Sequence, residues 1–167
     1  MRTCFILALF SFIFMIGELS MASNLQKAKD AFDHLDKEHM KVVEEFYDRD
    51  AVFQDPIHKI KGTKAIREYY EGLYKKVESI RFEYKNISEF ESLVTLEWRM
   101  YLRAPSLNSG REITVDGVSL ITFGGREGKV ISHRDYFDMG EFIYERVPIL
   151  SSVIRIIKNK MSGSEPR

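Results

Sequence analysis

Two stretches of the 167-residue chain carry side chains able to move protons. One is Phe53-Gln54-Asp55-Pro56, and the other is His133-Arg134-Asp135-Tyr136-Phe137-Asp138. Asp55 sits in an Asp-Pro step between a short strand and a Gly-led helix. A carboxylate there is either a base facing a pocket or a turn cap beside the proline. In the second stretch, period-two alternation puts Ile131, His133, Asp135 and Phe137 on one strand face. Two ionisable groups on an otherwise apolar face form either an acid–base pair in a cavity or a buried ion pair. Asp55, Asp135 and His133 are therefore the candidate catalytic residues. Phe53, Tyr69, Trp98 and Phe137 belong to an aromatic set that forms core or lines a pocket for a hydrophobic molecule, and they are the candidate substrate-binding residues.

Other chemistries find no footing in the sequence. His34, His39 and His58 lack metal-ligand spacing, and no thiol lies near them, so no metal and no cofactor is expected. Gly124-Gly125 and Gly128 lie between two strands, without the helix N-terminus that a phosphate loop needs. No Ser-His-Asp or Cys-His order appears.

The elements that must position these residues read in order. Leu25, Ala28, Ala31, Phe32 and Leu35 form one helical face, and Met40, Val43 and Phe46-Tyr47 continue an apolar stripe that Asp48-Arg49-Asp50 ends. Ala51-Val52-Phe53 is a short strand, stopped by Asp55-Pro56. Thr63 is the expected N-cap of the next helix, whose stripe is Ile66, Tyr69, Tyr70, Leu73 and Val77. Strands follow: Ile80, Phe82 and Tyr84 alternate with charged residues, as do Val94, Leu96, Trp98, Met100 and Leu102 with polar ones. Glu97 and Arg99 then face outward. Ile113 to Phe123 and Val130 to Asp138 are the last two strands, joined by a Gly-rich hairpin loop. Glu141 to Lys160 returns to helical spacing, broken at Pro148. Its apolar residues pack on the pocket mouth or a dimer interface, or meet a membrane; packing is the favoured reading, and membrane contact is not expected.

The 25 basic and 25 acidic residues balance, which argues against a broad nucleic-acid surface. Hydrophobic content of 44% and charged content of 30% fit an ordinary globular domain. Residues 1–22 stand apart. Cys4 to Gly17 is apolar, preceded by Arg2 and followed by small residues at Ser20-Met21-Ala22, the layout of a secretory signal peptide. Alternatively, translation starts at Met21: Gly17-Glu18 is encodable as GGA-GAR, a ribosome-binding core at a bacterial distance. The first reading implies export and the second a cytoplasmic protein; a retained anchor is the third. Residues 23–160 form one domain, and 161–167 a flexible tail.

Helices followed by a run of strands give an α+β fold. Ala51–Leu73 and Gly128–Phe142 resemble the nuclear transport factor 2-like superfamily, closest to its SnoaL-like branch, over about residues 24–142. Ketosteroid isomerases, polyketide cyclases and limonene epoxide hydrolases are relatives. The resemblance implies a cone-shaped, curved antiparallel sheet wrapped around N-terminal helices, with the C-terminal helix as an addition. It implies a hydrophobic pocket and a homodimer formed through the outer sheet face, here Thr95, Glu97, Arg99 and Tyr101. Asp55 matches the isomerase base. The isomerase oxyanion donors fall near Ala31 or Phe32 and at Ser119, which joins the substrate-binding set. Glu97-Trp98-Arg99 does not reproduce the epoxide hydrolase's Arg-x-Asp. The resulting expectation is a pocket protein acting by acid–base chemistry on a hydrophobic substrate, as an isomerase, cyclase or hydrolase. The alternative is a non-catalytic lipid or polyketide binder or accessory interaction module.

Overall fold

The computed structural model describes residues 23–162; the apolar segment and the last five residues lie outside them. Helix α1 (Asn24–His34) starts where the Ser23 hydroxyl accepts a bond from the Gln26 amide, and it buries Ala28 and Ala31. Helix α2 (Lys41–Phe46) buries Val43 and Phe46. Strands β1 (Tyr47–Gln54) and β2 (Lys59–Lys61) form a hairpin, and helix α3 (Thr63–Tyr74) buries Ile66, Tyr70 and Tyr74. Then come β3 (Ser79–Phe90), β4 (Leu93–Arg103), β5 (Ile113–Phe123) and β6 (Val130–Phe137). A short helix α4 (Met139–Phe142) and the longer α5 (Pro148–Met161) follow.

The six strands make one curved, unclosed sheet in the order β2-β1-β6-β5-β4-β3. All neighbours are antiparallel except β1 and β6, which run parallel. The parallel pairing returns the last strand beside the first. It sets Phe53 opposite His133 and the chain after Gln54 beside Arg134 and Asp135. The two stretches singled out above thus meet at one end of the sheet, although some 80 residues separate them in sequence. The core lies between the helices and the concave sheet face, around Phe46, Phe53, Ile66, Leu96, Trp98 and Ile121.

Local details depart from the sequence expectations. Tyr47 to Asp50 are the first residues of β1 and do not close a helix. Gly62, at φ 91°, is the N-cap of α3, a left-handed position that favours glycine. Thr63 instead donates its hydroxyl to the Asp48 carbonyl at 2.6 Å, tying α3 to β1. Ile131 does not share a face with His133 and Asp135. The pairing with β5 shifts between Thr122 and Phe123, so Val130 turns inward and Ile131 is left 42% exposed.

Candidate functional site

At the end of β6 the side chains of His133 and Asp135 point to the inner side of the sheet, one behind the other. His133 is 2% exposed and is enclosed by the rings of Phe32, Phe53 and Tyr47, with centroids at 5.4, 5.1 and 6.0 Å. Its Nε2 lies 2.9 Å from Asp135 Oδ1. Its Nδ1 lies 2.6 Å from the Tyr47 hydroxyl, which in turn is 3.3 Å from the Tyr70 hydroxyl. Ser119 stands opposite Asp135 on β5 and donates to the same Oδ1 at 2.5 Å. Trp98, on β4, donates its indole N–H to Ser119 Oγ at 2.9 Å.

With Asp135 as a carboxylate and His133 as a neutral ring, the hydrogen bonds of this chain take one consistent set of directions. Indole N–H only donates and a carboxylate only accepts. Ser119 therefore accepts from Trp98 and donates to Asp135. His133 donates from Nε2, which leaves Nδ1 as the acceptor of the Tyr47 proton. Burial pushes the Tyr47 and Tyr70 hydroxyls well above their ordinary pKa, so both stay protonated and Tyr70 donates to Tyr47. The result is a one-way relay: Tyr70, Tyr47, His133, Asp135 from one side, and Trp98, Ser119, Asp135 from the other. Both arms end on Oδ1. Among the described residues no donor reaches Oδ2, and the Asp135 side chain is 17% exposed, so this oxygen is the relay's open end.

Asp55 has a different setting. Its Oδ1 accepts from the amides of Ile57 and His58, at 2.7 and 2.5 Å, which closes the turn after β1. Its Oδ2 accepts from the Tyr69 hydroxyl at 2.8 Å and lies 3.0 Å from His58 Nδ1. Burial raises the Asp55 pKa, but the bonds from the His58 ring, the two amides and Tyr69 outweigh it, and the net shift is downward. Asp55 is a carboxylate held ionised by its partners.

Both carboxylates line one open hollow of about 570 Å³ at the β1–β6 end of the sheet, with Gln54, Pro56, Arg134, Tyr136 and Phe137. The Arg134 guanidinium sits 4.6 Å over the Tyr136 ring at its rim. Of the candidate residues, Asp55, Asp135 and Phe137 face this hollow. His133, Ser119, Trp98, Phe53 and Tyr69 stand behind it as the packed wall. Trp98 is pressed against Gly117, where even a Cβ would lie 2.2 Å from the indole. The aromatic set is therefore core first, and it shapes the hollow from behind.

Sequence reasoning missed Tyr47 and Tyr70, because both fall on regular helical stripes that read as core. It also missed Gln54 and Arg134 at the rim, since only the parallel β1–β6 pairing brings them together.

The comparisons agree with this architecture. The SnoaL-like domain model matches residues 28–133, and the chain belongs to that family. A candidate SnoaL-like polyketide cyclase from Shewanella denitrificans is 21% identical with a TM-score of 0.65, over 74% of this chain and 96% of its own. Its counterpart from Shewanella putrefaciens is 20% identical with a TM-score of 0.66, over 77% and 98%. A protein of ketosteroid isomerase-like fold from Catenulispora acidiphila, in complex with trimethylamine, is 14% identical with a TM-score of 0.56, over 65% and 82%. At these identities the likeness is one of fold. No curated protein matches the sequence.

Proposed function

We propose that the protein is a small-molecule enzyme whose open cleft carries out acid–base chemistry on a hydrophobic, carbonyl-bearing or cyclic substrate, as an isomerase or cyclase. One observation carries this reading: the hydrogen-bond relay that ends on Asp135 Oδ1 at the cleft, where no donor among the described residues reaches Oδ2. In the reaction Asp135 takes a proton from the carbon beside the carbonyl, and the pair of electrons moves to the carbonyl oxygen. His133, Tyr47 and Ser119 hold the carboxylate in place without touching substrate. Returning the proton to a different carbon completes an isomerisation. The developing oxyanion needs N–H or O–H donors. Neither Ala31 nor Phe32 supplies one, and Ser119 is spent on Asp135. Gln54 and Arg134 also line the cleft, but strand alternation sends both side chains to the face opposite Asp135, which leaves the oxyanion to water at the open mouth. Asp55, already saturated, sets the turn that forms one wall and adds negative charge beside the substrate. Phe137 offers the apolar contact.

The alternative of a non-catalytic binder is favoured by a separate observation: Asp55, at the place of the isomerase base, is bonded on both oxygens and lowered in pKa. The test is deuterium exchange beside the carbonyl in a panel of cyclic ketones, followed by NMR in the presence of wild-type protein and Asp135→Asn. Exchange lost with Asp135→Asn supports catalysis. Ligand binding with no exchange in either protein supports the binder.

A homodimer through the outer sheet face belongs to the same proposal. That face carries Arg99 bonded to Asp116 by two contacts of 2.7 Å, and Tyr101 bonded to Glu83 at 2.8 Å.

A further inference from the structure

Among the described residues, none covers the apolar side of helix α5. It leans mainly on the turn formed by Tyr144–Arg146, just before it. Ile149 is 79% exposed and Met161 83%, and Leu150, Val153, Ile156 and Ile157 are exposed as well. At about 100° per residue these six side chains fall on one arc of about 140°. Ser151, Ser152, Arg155, Lys158 and Asn159 occupy the opposite side. The expectation that this helix packs on the pocket mouth is not met in the structure.

Charge says what covers the face. The chain as a whole is neutral, but Pro148–Met161 contains Arg155, Lys158 and Lys160 and no acidic residue. Fourteen residues are too few to cross a bilayer, which takes about 20. Lys160 discriminates between the remaining occupants. It projects from the apolar arc itself, in the last turn. Against another helix its ammonium would be buried at the seam at a desolvation cost. At a membrane surface its four-carbon stem lies along the apolar side while the charge reaches the headgroups.

We propose that α5 is an in-plane anchor that lays its Ile149–Met161 face on an anionic lipid surface. The apolar face enters the headgroup boundary and Lys160, on that face, meets lipid phosphates, while Arg155 on the far side adds a longer-range attraction to the anionic surface. Lys158 is engaged by Glu145 and contributes less.

The test is co-flotation of the full chain with phosphatidylcholine vesicles, with and without about a quarter phosphatidylglycerol. Binding to the anionic vesicles is expected, weakening with salt. Ile149→Glu combined with Ile156→Glu should lower it by about tenfold or more, because both side chains are removed from the lipid. Both are exposed, so an unchanged melting temperature should confirm an intact domain. Arg155→Glu with Lys160→Glu should abolish the preference for anionic over neutral vesicles. Three results overturn the proposal. One is no binding to either vesicle. A second is binding that survives both double substitutions, which assigns it to the apolar segment 4–17. The third is a dimer in light scattering that Ile149→Glu dissociates without vesicle binding, which assigns the face to a second copy.

Discussion

At the residue scale, the side chains that matter most are defined by what they are bonded to. Asp135 and Asp55 are both carboxylates beside a histidine, yet they are prepared for different work. Asp55 receives bonds on both oxygens, two of them from backbone amides, and this makes it a poor base. Asp135 receives its bonds on one oxygen and presents the other. The relay depends on Tyr47, whose hydroxyl is the donor at His133 Nδ1. Tyr47→Phe leaves that buried nitrogen without a partner and should cost about 1–3 kcal/mol in urea unfolding. Turnover should fall with it, because His133 loses the contact that fixes its ring and its tautomer. The acidic candidates were legible in the sequence because Asp-Pro and His-x-Asp stand out against apolar neighbours. Tyr47 was not: Phe46-Tyr47 completes a helical stripe, and nothing in the residue types marks the point where period 3.6 becomes period two.

At the element scale, one parallel pairing assembles the site. β1 and β6 are distant in sequence, and alternation within each strand says which face a residue occupies but not which strand lies beside it. The alternating strand β4 was legible because Val94, Leu96, Trp98, Met100 and Leu102 are apolar at every second position. The shift that turns Val130 in and Ile131 out was not, since an extra residue in one strand leaves the residue types unchanged. Gly117 shows how tightly the elements fit. It faces Trp98 across the β4–β5 pair, and the indole occupies the space a side chain would need. Gly117→Ala should destabilise the domain by about 1–3 kcal/mol, read from the shift in urea midpoint. It should also move the Trp98 N–H away from Ser119, seen as a changed indole proton shift in NMR.

At the scale of the whole molecule, an ion pair between a buried Asp48 and an exposed Arg126 ties the sheet to a loop. Asp48 accepts from the Arg126 guanidinium and backbone, tying β1 to the β5–β6 loop. The bond from Arg126, joined by amides of Asp50 and Arg126, lowers its pKa from 3.8 to about 2. A carboxyl lowered on folding adds stability that is present above its ordinary pKa and is lost as pH falls through the folded value. The melting temperature should therefore fall as pH drops from about 4 to about 2, and Asp48→Asn should flatten that part of the profile. Asp55, also lowered, titrates in the same direction. The homodimer proposed for the outer sheet face predicts twice the monomer mass in light scattering at tens of micromolar, and a monomer there would rule it out. The α+β architecture itself was fully legible, because order and spacing of the elements carry it; the exposure of α5 was not, since an apolar stripe looks the same whether or not the domain covers it.

The central claim is that Asp135 is the group that moves the proton. It is tested most directly by the rate of deuterium exchange beside the carbonyl of a cyclic ketone that the wild-type protein accelerates. The relay predicts that Asp135→Asn lowers this rate by about 10²–10⁴-fold while the melting curve still shows a folded domain. An Asp135→Asn protein that exchanges the ketone at the wild-type rate would contradict it.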